Sequence, residues 1–119
     1  LGALLETFVY LHLRRRLGRL SEGRIAYYRT AAGREVDFAV DPVLPGSDLL
    51  LVQACLSLQR ADTREREVRA LTEAMTETGV RHGTIVTLAD RESLPTQAGT
   101  IRVVPAWEWA LEPDEHEPA

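Results

Sequence analysis

The chain has 119 residues, 45% of them hydrophobic and 27% charged, which is typical of one globular domain and excludes disordered and fibrous proteins. No apolar run approaches the ~20 residues that span a bilayer, and a single cysteine, Cys55, excludes an internal disulfide or a thiolate metal site. The net charge of −4 comes from the acidic tail after Leu111, so residues 1–111 are neutral and create no overall field that attracts nucleic acid.

The basic residues and the first residues of the chain give further indications about mechanism and cellular location. All 14 basic residues are arginines, so mechanisms that need a lysine ammonium are excluded. The chain starts at Leu1 without a secretory pattern, which predicts a piece of a longer cytoplasmic protein. We expect one domain over residues 1–111 and an acidic tail without core-forming residues over 112–119.

The first half of the chain predicts a helix followed by a β-hairpin. Apolar residues at helical spacing run over residues 2–18 and predict a helix that packs on a sheet. Two β-rich runs, Arg24–Thr30 and Arg34–Asp41, follow with a glycine in the short loop between them. The second run alternates, which predicts that Val36, Phe38 and Val40 share one face and Glu35, Asp37, Ala39 and Asp41 the other.

A central strand and a second helix are predicted next. A turn with Pro42, Pro45, Gly46 and Asp48 leads into Leu49–Leu56, which is apolar on both faces except at Gln53 and is typical of a central strand covered on both sides. The run Asp62–Thr78 predicts a helix that starts with an Asp62–Glu65 capping box and ends at Gly79.

The remainder predicts two strands, Thr84–Leu88 and Thr100–Val104, and a terminal helical turn over Pro105–Leu111 that Trp107 anchors. The expected fold is α/β, with a mixed central sheet of about five strands flanked by helices in the order αβββαββα. This element order is the core order of the restriction-endonuclease-like fold.

Polar residues on these elements form the candidate site. Glu6 lies in the first helix, Asp37 on the second strand, and Gln53 and Cys55 share one face of the third. Nucleases of that fold use an aspartate followed by Glu-x-Lys or Gln-x-Lys to hold Mg²⁺ and to activate water. Here the pattern is met by Asp37 and Gln53 and is broken by Cys55 at the lysine position.

A resemblance extends beyond the element order. The segments that carry it are GALLETFVYLHLRRR (residues 2–16), YYRTAAGREVDFAV (27–40), LVQACLSL (51–58), TREREVRAL (63–71) and VVPAWEWAL (103–111). They resemble the C-terminal domain of unknown function of archaeal and bacterial AAA-type ATPases. The resemblance implies a restriction-endonuclease-like, PD-(D/E)XK fold and an upstream ATPase module in the same chain. ATP would be bound only there, since these 119 residues contain no phosphate-binding loop motif.

Three functions are therefore open. The first is a non-catalytic accessory domain that binds nucleic acid, with Arg14, Arg15 and Arg16 as candidate phosphate contacts, or a protein. The second is a nuclease in which Glu6, Asp37 and Gln53 hold Mg²⁺ or Mn²⁺.

The third is an oligomerisation or docking module that uses Trp109 and the arginine-rich surfaces.

Each candidate residue also has an ordinary structural explanation. Asp37 can pair with Arg29 or Arg34, and the three consecutive arginines suit the negative end of a helix. We expect Cys55 to be a small buried apolar residue.

Overall fold

A computed structural model describes residues 1–18, 24–41 and 48–113. The elements in chain order are α1 (Gly2–Leu17), β1 (Arg24–Arg29), β2 (Glu35–Asp41), β3 (Leu50–Ala54), α2 (Ala61–Thr78), β4 (His82–Thr87), β5 (Glu92–Thr96), β6 (Gly99–Pro105) and α3 (Ala106–Leu111). None of the helices in these ranges is long and apolar enough to cross a membrane. The predicted turn residues Pro42, Pro45 and Gly46 and most of the predicted tail, residues 114–119, lie outside the described residues.

The sheet is mixed and has six strands in the order β1-β2-β3-β4-β6-β5. Strands β1, β2 and β3 form an antiparallel meander, β3, β4 and β6 are parallel, and β5 returns antiparallel to β6. The predicted α/β class with a mixed sheet and flanking helices is confirmed. The strand count differs because β5 was not predicted, so the order is αβββαβββα.

The missing strand has a physical explanation. β5 contains Pro95 and lies at the edge of the sheet, where a residue without a backbone N–H is tolerated. Its sequence, ESLPT, has little β-branched character and exposes most of its side chains. A pattern search that relies on alternating β-branched residues therefore finds no signal in it.

Helices cover both faces of the sheet and create two apolar clusters. α1 and α3 pack on one face through Leu5, Val9, Leu13, Leu17, Val40, Val52, Val86, Val104 and Trp109. α2 packs on the other through residues that include Val36, Leu51, Leu71, Ala74, Met75, Ile85 and Ile101. The apolar residues of β3 divide between the two clusters, which explains why this strand is hydrophobic on both faces.

A β-bulge in β2 overturns the predicted alternation of that strand. Ala26 of β1 pairs with Ala39, whereas Tyr28 pairs with Val36, so β2 carries one more residue than β1 between these two pairs. Val36 therefore packs in the α2-side cluster and Phe38 in the α1-side cluster. The predicted common face for these two residues is wrong because an extra residue reverses the side-chain direction beyond it.

Two local predictions about the helices are also wrong. α2 begins one residue earlier than predicted, and Arg60, its N-cap residue, makes no side-chain capping hydrogen bond. The carboxylate of Asp62 instead accepts hydrogen bonds from the guanidinium of Arg60 and from the backbone N–H of Thr63. In α3 the tryptophans exchange the roles that were predicted for them. Trp109 is buried and anchors the helix, whereas Trp107 is 60% exposed.

Candidate functional site

The candidate site lies where β2 and β3 separate. The two strands pair from Val40–Leu50 to Phe38–Val52, and the backbone ladder stops there. Beyond that point β3 continues beside β4, so the next backbone groups of β2 and β3 have lost their partners in each other. Buried backbone groups need replacements for such lost bonds.

Side chains supply these replacements in both directions. The Oε1 atom of Gln53 accepts a hydrogen bond from the backbone N–H of Asp37 at 2.8 Å. The carboxylate of Asp37 in turn accepts one from the backbone N–H of Ala54, also at 2.8 Å. The Nε2 atom of Gln53 makes a longer contact, 3.4 Å, with the backbone carbonyl of Glu35. We call this exchange the β2–β3 clamp.

Gln53 is only 1% exposed, and the clamp explains why an amide side chain is buried in an otherwise apolar strand. Its two polar atoms both have backbone partners, as a buried amide requires. The oxygen that the sequence assigned to a metal ion already accepts one hydrogen bond. The metal-binding role of Gln53 stays a prediction.

Asp37 is half-buried at the β-bulge, and its surroundings raise its pKa. Burial is the largest cause, and the negative charges of Glu6 and Glu35 act in the same direction. The hydrogen bond from Ala54 opposes them because it favours the ionised carboxylate. Neither predicted arginine partner forms an ion pair with Asp37, and Arg34 pairs instead with Glu73 of α2 at 2.6 Å.

A third carboxylate, Glu67 of α2, interacts electrostatically with Asp37 and Glu6. It is not among the candidate site residues predicted from the sequence. Burial raises its pKa, and the charges of Asp37 and Glu6 raise it further, while the ion pair with Arg66 lowers it. The sequence places Glu67 on the charged side of α2. A signal was nevertheless present, because the core residue Leu71 lies four positions later on the same helical face.

Cys55 occupies the position where the nuclease pattern has a lysine. It is partly buried and its Sγ contacts the backbone carbonyl of Ser57 at 3.3 Å. Burial and the charge of Glu67 raise its pKa, so the thiol stays protonated at neutral pH and is a weak nucleophile. The position that holds a positively charged lysine in the nuclease pattern is therefore occupied here by a neutral thiol, and no lysine balances the charges of the three carboxylates.

The arrangement of the acidic side chains bears on whether the site can hold a metal ion. Three carboxylates, Glu6, Asp37 and Glu67, influence one another across two helices and a strand. Even so, no group of three or more His, Cys, Asp or Glu side chains within residues 1–18, 24–41 and 48–113 has the geometry to hold a metal ion. What the contacts support is a joint that holds β2 to β3.

The predicted phosphate contacts divide into two kinds. Arg14 and Arg15 are exposed at the end of α1, and Arg15 also contacts Nδ1 of His12 at 3.0 Å. Arg16 donates to the backbone carbonyl of Trp109 at 2.9 Å, and its guanidinium lies 5.0 Å from the centre of that indole. Arg16 thus joins the first helix to the last, and the nucleic-acid role of all three arginines stays a prediction.

Comparison with known proteins identifies the family. Residues 1–109 match the family model described as "Domain of unknown function (DUF4143)". The chain belongs to this family. No curated protein matches the chain. The DUF4143 match includes α1, the clamp residues and α2, so every residue of the candidate site lies inside the family's domain.

Proposed function

We propose that this DUF4143 domain is a non-catalytic accessory domain of an AAA-type ATPase, that it has a restriction-endonuclease-like fold with a degenerate nuclease site, and that it acts by binding a partner. The β2–β3 clamp is the observation that carries this proposal. It commits Gln53 and one carboxylate oxygen of Asp37 to the backbone at the two positions that the nuclease pattern uses for metal.

The absence of a lysine is a second, independent argument that the domain has no nuclease activity. Nuclease sites of this pattern use an ammonium group to position or activate the attacking water. Cys55 cannot do so, and no lysine elsewhere in these 119 residues can reach the site instead. Burial and the neighbouring carboxylates raise the pKa values of Asp37 and Glu67, which a lysine ammonium at the position of Cys55 would counteract.

The element order supports the proposed fold family and the ATPase context. α1 is followed by the β1–β3 meander, and α2 then crosses to β4, which lies parallel to β3. This is the order that the resembling segments imply. ATP would bind to the upstream module in the same chain, and the domain described here would supply recognition.

Among partners, a protein is favoured over nucleic acid. Residues 1–111 have balanced charge, and most arginines in the described ranges have anionic partners within the domain. Seven ion pairs occupy Arg34, Arg60, Arg64, Arg66, Arg69, Arg91 and Arg102. Phosphate contacts would have to break such pairs or rely on a few exposed arginines such as Arg14.

The alternative is a Mg²⁺- or Mn²⁺-dependent nuclease with Glu6, Asp37 and Gln53 around the ion. The contacts favour it less, because Gln53 is enclosed and its amide is hydrogen-bonded to the backbone, while Glu6 is exposed. The convergence of Glu67 on Asp37 is the one observation that favours it, since a divalent cation would relieve the repulsion between these carboxylates.

A cleavage assay separates the two functions. The purified chain is incubated with single- and double-stranded DNA and RNA in Mn²⁺, beside Asp37→Ala as the site variant and Glu65→Ala as an exposed-acid control. We expect no cleavage by any of the three proteins. Cleavage that Asp37→Ala abolishes and Glu65→Ala retains would refute the accessory-domain proposal and establish a lysine-free nuclease.

Binding to nucleic acid is tested in the same preparation by fluorescence anisotropy with labelled DNA and RNA. We expect no saturable binding at about 150 mM salt, where contacts to phosphates weaken steeply. Tight binding that decreases with salt and is lost on replacing Arg14 and Arg15 would show that the partner is nucleic acid.

A further inference from the structure

The described sheet has two edges, and they differ in how well they are protected. At one edge, β5 contains Pro95, which has no backbone N–H, and its first residue, Glu92, forms an ion pair with Arg64. A proline and a fixed charge both hinder the addition of another strand. At the other edge, β1 has six residues, RIAYYR, with no proline and with tyrosines and an isoleucine that favour extended structure. β1 is therefore the edge that can accept another strand.

Alternate residues of β1 point their backbone N–H and C=O groups away from the sheet. The backbone N–H of Thr30, directly after the strand, donates to the carbonyl of Arg34 and therefore faces β2. The extra residue of the β-bulge lies in β2, so the backbone of β1 alternates without interruption, and Ala26 and Tyr28 face β2 as well. The outward groups belong to Ile25, Tyr27 and Arg29. No other part of the described chain forms a hydrogen bond with them.

The side chains of β1 leave this edge accessible. Tyr27 is 67% exposed, whereas Ile25, two residues earlier and on the same face, packs in the α1-side cluster. A strand added beside β1 extends this layer of side chains beyond Tyr27. Exposed tyrosines are also typical of surfaces that bind proteins, because the ring contributes a large contact area at a small entropic cost.

Two arginines lie at the ends of β1, and their charge is not balanced within the domain. Arg24 and Arg29 are exposed, and neither side chain forms an ion pair or a hydrogen bond with a residue of the described ranges. Other arginines, such as Arg34, are engaged in ion pairs. β1 itself contains no acidic residue. A partner with negative charge near both ends of the strand is therefore complementary to this edge.

The backbone and the charges together select the kind of partner. A second copy of β1 would bring two further arginines and no acid, so its charge is unfavourable. Nucleic acid has phosphates for the arginines but lacks the alternating N–H and C=O groups that pair with a strand. An acidic peptide in extended conformation satisfies both requirements.

We propose that β1 is the docking edge for an extended acidic segment of a partner protein, which adds to the sheet as a seventh strand. Affinity comes from backbone hydrogen bonds to the outward groups of Ile25, Tyr27 and Arg29. Arg24 and Arg29 lie five residues apart, ~17 Å along a strand, and on opposite faces. The segment therefore has acidic residues five positions apart. The proposal rests on the proposed function only in that both assign a protein partner to the domain.

A labelled peptide of this pattern, GSETVTIESG, tests the proposal by fluorescence anisotropy with the 119-residue chain. We expect saturable binding that weakens as salt is added, because exposed charges are screened. The peptide GSKTVTIKSG, with lysine for glutamate, should not bind. The peptide GSETPTPESG keeps the charges but lacks two backbone N–H groups on the side that pairs with β1, so it should bind at least about tenfold more weakly.

Charge-reversal variants test the arginines. Arg24→Glu combined with Arg29→Glu should weaken binding of GSETVTIESG at least about tenfold, because attraction becomes repulsion at both ends of the strand. Arg14→Glu combined with Arg81→Glu is the matched control, since it changes the net charge equally at exposed arginines outside β1. The control should bind within about twofold of the wild type. Circular dichroism checks that both variants remain folded.

Amide hydrogen exchange locates the bound peptide on the strand. In the free domain, the backbone N–H groups of Ile25, Tyr27 and Arg29 should exchange rapidly, whereas those of Ala26 and Tyr28 are bonded to β2 and should exchange slowly. GSETVTIESG should slow the exchange of the first three. Saturable binding without this protection would overturn the proposed strand pairing.

Three further outcomes would overturn the proposal. They are no saturable binding of GSETVTIESG up to about 1 mM, equal binding of GSETPTPESG, and tighter binding of single-stranded RNA that the Arg24→Glu/Arg29→Glu variant loses. The last would identify nucleic acid as the occupant. These results are independent of the cleavage assay: an active nuclease refutes the proposed function without changing peptide binding, and a failure to bind the peptide does not create cleavage.

Discussion

Asp37 and Gln53 exchange hydrogen bonds between strands whose backbones have separated. Each side chain satisfies a backbone N–H of the other strand, so removing either one leaves a partly buried donor without that partner. The two residues differ in charge, however. Gln53 contributes neutral hydrogen bonds, whereas Asp37 brings a carboxylate into a region that already contains Glu6 and Glu67.

Asp37→Asn should therefore stabilise the fold at neutral pH. The amide keeps an oxygen for the N–H of Ala54 and removes the buried charge. Because burial and nearby acids raise the folded-state pKa of Asp37 above its unfolded value, wild-type stability falls as pH rises through that interval. Thermal unfolding should show a higher Tm for the variant at pH 7 and convergence near pH 3. A lower Tm at pH 7 would contradict this explanation.

Gln53→Ala should destabilise the fold by about 2–4 kcal/mol, because it creates a cavity at a buried side chain and removes the hydrogen-bond partner of the partly buried Asp37 N–H. Gln59→Ala is the matched control, since that glutamine is exposed and its Nε2 bonds to the carboxylate of Asp90 on the surface. We expect the control to lose less than about 1 kcal/mol. Urea unfolding measures both, and equal losses would show that the clamp contributes nothing special.

At the scale of elements, α2 approaches β4 so closely that a glycine is needed between them. A Cβ at Gly83 would lie 2.8 Å from Cγ of Leu71 and 3.1 Å from Sδ of Met75. Both neighbours are almost fully buried and have little space into which to move. The position of α2, and with it that of Glu67, depends on this contact.

Gly83→Ala should cost about 1–3 kcal/mol, the usual cost of overpacking a core. Gly2→Ala is the control, because no atom lies within 4 Å of the added methyl group there. Chemical denaturation with tryptophan fluorescence gives both free energies. A neutral Gly83→Ala would mean that Leu71 and Met75 repack freely and that α2 is not held at this distance.

The elements that were predicted best are those with strong local signals. The apolar periodicity of α2 and the left-handed Gly79 at its end depend on neighbouring residues alone, so its C-terminal boundary was predicted to the residue. The bulge in β2 depends on how β2 pairs with β1, which the sequence of β2 does not contain. The burial of Trp109 rather than Trp107 depends on which side of a six-residue helix meets α1.

At the scale of the whole molecule, the first and last helices meet on one side of the sheet. The ring centroids of His12 on α1 and Trp109 on α3 lie 4.7 Å apart, and Arg16 donates a hydrogen bond to the backbone carbonyl of Trp109. The sequence predicted both helices but not their contact, because residues 93 positions apart share no local pattern. The same limit applied to Glu67 and Asp37, which only the folded sheet brings together.

Arg16→Ala should separate α1 from α3 and destabilise the whole domain by about 1–3 kcal/mol, since it removes a charge-assisted hydrogen bond and a cation–π contact with Trp109. Arg14→Ala is the matched control two residues away. Its side chain is exposed, and we expect a change within about 0.5 kcal/mol. Arg16→Lys should recover part of the loss, because an ammonium keeps the charge but not the planar contact. Equal effects of Arg14→Ala and Arg16→Ala in urea unfolding would show that these arginines act only through their common charge at the end of the helix.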